Sequence, residues 1–269
     1  MTIEEYIYEN KNRIESFEQN SFNCEKYQRE ELRELKDFNS FLESFGSLKS
    51  IDRETVIKAF KNDKLYDGYV IAMMWGGINT TRPSAKGDYK TTNFYKALSL
   101  GKESITQILL EVRRELKAEN FTNVYNKLHS GKLSIPGIGE SYFTKLLYFI
   151  GESENINPVP LIYDKWTKLI HVALLIDSDE EEKLNKFYTS NAVMTAFGGD
   201  KVELINSRNK YKATAYVDYF TNLNRIADNI KVNAGDLEAF LFGMQLRNNV
   251  NKTDNNPRVW LHNYVKANI

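Results

Sequence analysis

Apolar residues recur three and four positions apart over most of this chain, and that spacing predicts helices. In "CEKYQREELRELKDFNSFLESF", Leu32, Leu35, Phe38, Phe41, Leu42 and Phe45 fall at helical spacing, among the Glu, Lys, Arg and Leu that favour helix. "DRETVIKAFKN" starts with Asp52 as an N-cap and Glu54 in its first turn. "KLYDGYVIAMMWGG" is largely apolar and stops at Gly76 and Gly77. "ESITQILLEVRRELKAEN" places Ile105, Ile108, Leu109, Val112 and Leu116 on one stripe, and "NFTNVYNKLHSGK" is a shorter helix ending at Gly131. Helices are also expected in "DKWTKLIHVALLI", in "YKATAYVDYFTNLNRIADNI" and, as the last clear one, in "GDLEAFLFGMQLRNN". Between them "INTTRPSAKGDYKTTN" reads as a loop, from Pro83, Gly87 and its Ser, Thr and Asn. The two-residue alternation of strands is scarce, with "KVELI" as the best exception.

No repeat and no low-complexity linker divides the chain. The expectation is a mostly α fold over 1–269 as a single unit. It would have an N-terminal helical part at 1–100 with a loop at 79–96, a helix–hairpin–helix core at 101–175 and a C-terminal helical part at 176–269.

Composition narrows the chemistry. The 269 residues, 42% apolar and 27% charged, suffice for a substantial core. The 36 basic and 36 acidic residues cancel, so any surface for nucleic acid must be local. One cysteine, Cys24, excludes an internal disulfide and a cysteine-ligated zinc or iron–sulfur cluster. A reducing, cytoplasmic compartment is expected. "MTIEEYIYENKNRIE" is too acidic for a signal peptide, and no apolar run nears the roughly 20 residues that span a bilayer.

The candidate chemistry begins in "LSIPGIGESYFTKLLYFIG". Gly137 and Gly139 sit one residue apart behind Pro136, between two helices. Glycine accepts positive φ and lets another backbone approach closely. The helix that follows presents free N–H groups and the positive end of its dipole. Together they suit a phosphate. Lys127, Lys132 and Lys145 lie near, and Glu140 is the only acid between 121 and 150. The same triplet also serves as a plain turn between helices. One helix later, in "PVPLIYDKWTKLI", Pro158 and Pro160 enforce an extended entry and Asp164 stands at an N-cap. Asp164 is either that cap alone or a carboxylate for chemistry on a sugar or base.

"IPGIGESYFTKLLYF" followed by "PLIYDKW" resembles the helix-hairpin-helix DNA glycosylase superfamily. More narrowly, it resembles the bacterial proteins with an 8-oxoguanine DNA glycosylase fold. The close likeness covers about 45 residues, near 130–175; "AMMWGG" and "DLEAFLFG" are similar more loosely. The resemblance implies two helical lobes around a cleft, and a monomer acting on duplex DNA with a flipped modified base. Gly137 and Gly139 would offer N–H groups to one phosphate. Asp164 would be the catalytic carboxylate, stabilising charge on the deoxyribose as the base leaves. Bifunctional members carry a nucleophilic lysine two residues after the second glycine. Ser141 stands there instead, which points to hydrolysis without lyase chemistry and leaves Ser141 as a backbone contact. Lys145, one turn on, is either a relocated catalytic amine or the partner of Asp164. No cofactor is expected, with a monovalent cation at the hairpin as the one open option.

A flipped base needs pocket walls and a wedge. Trp75 and Asn79 are the candidates, and Arg82, Lys86, Lys90 and Lys96 against the single Asp88 make 79–96 locally basic. With Lys132, Arg82 and Lys86 are candidate phosphate contacts. Trp75 could equally be core. His129, His171 and His262 show no metal-ligand spacing, and "DSDEEEK" reads as a solvated turn. Three functions stay in view: a base-excising N-glycosylase of repair or phage defence, a non-catalytic DNA or nucleotide binding module, and an N-glycosidase acting on a free nucleotide in an antiviral system.

Overall fold

The computed structural model describes residues 1–17, 22–27, 30–45, 50–80, 88–193, 202–206, 209–243 and 255–268. In chain order its elements are α1 (Ile3–Glu9), α2 (Lys11–Glu15), β1 (Phe22–Asn23), α3 (Lys36–Phe45), β2 (Ser50–Ile51), α4 (Arg53–Lys61) and α5 (Leu65–Trp75). Then come α6 (Asn93–Leu98), α7 (Gly101–Lys117), α8 (Phe121–Ser130), α9 (Glu140–Ser153), α10 (Lys165–Asp177) and α11 (Glu181–Phe187). The chain closes with β3 (Tyr188–Val193), β4 (Val202–Asn206), α12 (Lys212–Ile230), α13 (Ala234–Phe242) and α14 (Pro257–Asn268). The protein is mostly α, as its periodicity predicts. β1 pairs antiparallel with β2, and β3 with β4, where "KVELI" supplies most of β4. Among the described residues, no helix is long and apolar enough to cross a membrane.

Two compact units emerge: a middle unit, Asn20–Pro160, and a terminal unit made of Met1–Gln19 and Leu161–Ile269. The middle unit is built on α5. Ten of its eleven residues are buried, all but Asp67, because α4, α7, α9 and β2 all pack on it. A helix apolar on every side has to be a core helix, and each of its large side chains contributes about 1.5–3 kcal/mol by leaving water. Asp52 caps α4, accepting from Thr55 N–H, and α5 stops at Gly76 with Gly77 at φ 71°, both as expected. In the terminal unit α10 is central, packed by α1, α11, α12, α13 and α14.

The structure departs from periodicity at several helices. The stretch from Cys24 is not one helix. Residues Glu25–Tyr27 and Glu30–Leu32 form separate 3-10 turns, and α3 starts only at Lys36. Tertiary bonds override local propensity here. Tyr27 is fully buried on Phe94, its ring 4.8 Å away, and its hydroxyl donates to the Ile78 carbonyl. Asp37 then accepts from Lys102 N–H and so serves the start of α7. Five short or late helices, α1, α2, α6, α11 and α14, are additions to the expected set.

Candidate active site

The hairpin is built by its own sequence. Ile138 N–H donates to the Ile135 carbonyl at 3.1 Å, closing a turn with Pro136 and Gly137 at its centre. Gly137 has φ 79°, which suits the second central position of a type II turn after proline. A Cβ at Gly137 would lie 2.5 Å from the Asn93 carbonyl oxygen, so the turn sits hard against α6. Gly139 is different. It is the N-cap of α9 with ordinary extended geometry, and a Cβ there would meet nothing within 4 Å. Among the described residues, the N–H groups of Gly137, Gly139 and Ser141 have no backbone acceptor. The α9 N-terminus therefore offers donors and dipole to an anion at an open face. Ser141 is half-buried, and Lys132 is exposed with its Nζ 3.6 Å from Glu111.

Lys145 lies under this corner. It is 8% exposed, and its amine bends back one turn to donate to the Ser141 carbonyl at 2.6 Å. The ammonium lies 5.3 Å from the centre of the Tyr142 ring, a cation–π distance. Its stem runs along Gly76, where an added Cβ would come within 2.9 Å of Lys145 Cδ. The glycine of "AMMWGG" thus makes room for the lysine of "YFTKLLYF". Neighbouring Trp75 is buried, edge-on to Phe149, with Arg53 over its ring. Asn79 is exposed, and its carbonyl accepts from Phe94 N–H. Arg82 and Lys86 lie outside the described residues. Of the other two cations of that loop, Lys90 pairs with Glu34 at 3.4 Å and Lys96 lies beside Gly137.

Asp164 belongs to the terminal unit, the hairpin to the middle unit. The aspartate caps α10 in a capping box: Oδ1 accepts from Trp166 N–H at 2.8 Å and Thr167 N–H at 3.1 Å, and Thr167 Oγ1 accepts from Asp164 N–H. The cap engages Oδ1 only. Oδ2 has no hydrogen bond among the described residues, and the residue is half-buried. One oxygen fixes the carboxylate while the other stays available.

Three groups of side chains near Asp164 come together only in the fold. Glu238 of α13 is buried and accepts from Ile162 N–H at 2.6 Å, anchoring the extended entry two residues ahead of Asp164. Tyr163 bonds the Tyr188 hydroxyl, which meets His171 Nδ1 at 2.6 Å; His171 Nε2 in turn meets Asp218 at 3.0 Å, and Lys183 pairs with Asp218. Burial pushes the His171 pKa down, with the Asp218 carboxylate opposing. Arg258 of α14 is buried with its guanidinium 4.3 Å from the centres of both the Trp166 and Phe242 rings. Tyr163, His171 and Glu238 fall in stretches the sequence singles out; Tyr188, Asp218 and Arg258 lie far from them along the chain.

A helical fold with a G-x-G hairpin opening one helix and an aspartate capping the next defines a helix-hairpin-helix DNA glycosylase-like protein. Residues 18–242 match the family described as "Putative 8-oxoguanine DNA glycosylase OGG-like protein", and the chain belongs to that family. No curated protein and no solved structure matches it significantly.

Proposed function

We propose that this protein is a DNA N-glycosylase that hydrolyses the bond between a modified base and its deoxyribose. The observation that carries the reading is the state of Asp164. Its Oδ1 is tied into the cap of α10 while Oδ2 is uncommitted, which suits a fixed carboxylate facing developing positive charge. The open Gly139 and the unpaired N–H groups at the start of α9 supply a phosphate grip, with Lys132, Arg82 and Lys86 as further contacts. Ser141 replaces the usual nucleophile, so the expected product is an abasic site without strand cleavage. Lys145, held at the Ser141 carbonyl, adds positive charge beneath the grip. Trp75, buried next to the Gly76 along which the Lys145 stem runs, fits a supporting wall better than a wedge.

Duplexes carrying modified purines and pyrimidines, and modified phage DNA, supply the test. Wild type should release free base, and Asp164→Asn should release none, although asparagine keeps the helix cap. Full release by Asp164→Asn would sink the assignment. Borohydride trapping should yield no covalent adduct; an adduct lost in Lys145→Met would make Lys145 the nucleophile. A complete capping box also favours a second reading, in which Asp164 is structural and the protein only binds DNA. Binding without any released base, unchanged in Asp164→Asn, is that reading's signature.

A further inference from the structure

A buried chain of hydrogen bonds ends on the residue before Asp164. Tyr163 bonds the Tyr188 hydroxyl, and that hydroxyl meets His171 Nδ1 at 2.6 Å. His171 Nε2 meets Asp218 Oδ2 at 3.0 Å. Asn222 donates to the same oxygen at 3.1 Å, and Lys183 donates to Oδ1 at 3.0 Å. Tyr163 and His171 are fully buried and Tyr188 is 3% exposed. Every member lies in the terminal unit, on α10, α11, β3, α12 and the extended entry to Asp164.

Chemistry fixes the direction of this chain. Burial works against the Asp218 charge, but the bonds from His171 and Lys183 bring its pKa below the ordinary aspartate value. An ionised carboxylate only accepts, so His171 Nε2 carries the ring proton. Burial lowers the His171 pKa against the opposing pull of Asp218, and the ring is neutral near pH 7. A neutral imidazole with its proton on Nε2 can only accept at Nδ1. Tyr188 therefore donates to His171, and its oxygen is left to accept from Tyr163.

A tyrosine, a histidine and an aspartate in series have the makings of an activated nucleophile. Here the His171 ring is walled in by those of Phe187 at 5.9 Å, Tyr219 at 5.8 Å and Tyr163 at 6.4 Å, out of a substrate's reach. What the chain does reach is the segment 162–164. Glu238 accepts from Ile162 N–H, the Tyr188 hydroxyl takes that of Tyr163, and Thr167 Oγ1 accepts from Asp164 N–H at 2.7 Å. Each of these neighbours in sequence is held by a different partner. The Tyr163 ring also packs on Tyr216 at 5.5 Å and Tyr219 at 5.4 Å, so that side chain is fixed along its length.

We propose that His171 is a positioning residue for Asp164, acting through the Tyr188 and Tyr163 hydroxyls to pin the segment that presents the carboxylate. The inference rests on the glycosylase reading for the purpose of Asp164, though not for the mechanical coupling. A reacting group displaced by about 1 Å can lose on the order of a hundredfold in rate, which is what such a hold prevents.

Hydrogen exchange in the full chain tests the coupling without any substrate. Tyr188→Phe keeps the ring and removes the bridging hydroxyl. The Asp164, Trp166 and Thr167 amides, whose bonds make the cap of α10, should then exchange about tenfold faster. The Ser178 amide at the far end of α10, bonded to the Leu174 carbonyl, should not change. Tyr163→Phe cuts the chain from its other side and should give the same pattern; it decides should Tyr188→Phe not fold. An unmoved cap, or an equal rise at both ends of α10, overturns the inference and leaves the network a plain contributor to stability. Nitrogen-15 NMR of wild type is an independent check. His171 should carry its proton on Nε2 with Nδ1 bare, and a proton on Nδ1 would reverse the chain and overturn the proposal equally. With a base-releasing duplex, kcat should fall about tenfold in Tyr188→Phe at unchanged KM. A raised KM with kcat unchanged also overturns it. Absence of base release by wild type would defeat the glycosylase reading alone, since the exchange pattern stands without activity.

Discussion

Gly137 and Gly139 stand one residue apart, yet a methyl group added to each would meet different surroundings. At Gly137 it would strike the Asn93 carbonyl at 2.5 Å, on a backbone already at φ 79°. Gly137→Ala should therefore destabilise the protein by at least about 1–2 kcal/mol, since side chains resist the left-handed region and backbone cannot give way. At Gly139 the methyl meets nothing within 4 Å, on ordinary extended backbone. Gly139→Ala should change stability by less than about 0.5 kcal/mol. If a phosphate approaches that open face, the same variant should weaken DNA binding about tenfold, the worth of one lost charge-assisted hydrogen bond. Thermal melts and binding isotherms on the two variants separate the roles. Weak binding by a stable Gly139→Ala supports a phosphate grip, and unchanged binding would reduce the hairpin to a turn. The sequence shows both glycines as equals; the difference lies in α6, which only the fold brings beneath Gly137.

Between elements, α7 and α8 are tied by a small ionic cluster under the hairpin. Lys127 of α8 bonds Glu115 and Glu111 of α7, and Asn123 donates to Glu115 at 2.8 Å. The hydrogen bond from Lys127, then that from Asn123, holds Glu115 down at about 2. A folded-state pKa below the unfolded one of about 4.3 means that the unfolded chain binds more protons in between. The stabilisation is complete above the unfolded value and is lost as pH falls towards about 2. Urea denaturation across that window should show Glu115→Gln with a flatter acid arm than wild type; parallel curves would count against the linkage. This cluster was partly legible, because Lys127 was marked as a hairpin cation, but its partners were not. Periodicity found the long helices whose stripes are buried, such as α7 and α12. It overran at Cys24–Leu35, where the Tyr27 hydroxyl is claimed by the distant Ile78 carbonyl. It also passed over α14, whose buried Pro257, Arg258, Leu261, His262 and Val265 mix apolar and polar types and so leave no plain stripe.

For the whole molecule the charges sum to zero, so DNA affinity must come from local cations and helix ends. Motif spacing marks Asp164 and the hairpin as candidates. It could not reveal the setting of Arg258, because residues 166, 242 and 258 converge only after folding. The neutral balance sets a measurable expectation. Log affinity should fall with log salt at a slope of about −0.9 per phosphate neutralised, giving a shallow dependence for a few contacts. Lys132 is the candidate contributor to test. It is two-thirds exposed beside the hairpin, and its distance of 3.6 Å from Glu111 leaves the ammonium able to turn to a phosphate. Lys132→Gln should lower the slope magnitude by about 1 and weaken binding alike for modified and unmodified duplexes, because phosphates carry no base identity. Base release per bound complex should stay constant. A Lys132→Gln protein with an unchanged slope would place the phosphate contacts elsewhere and leave Lys132 as the surface partner of Glu111. One that lost only the modified duplex would make Lys132 part of base recognition instead.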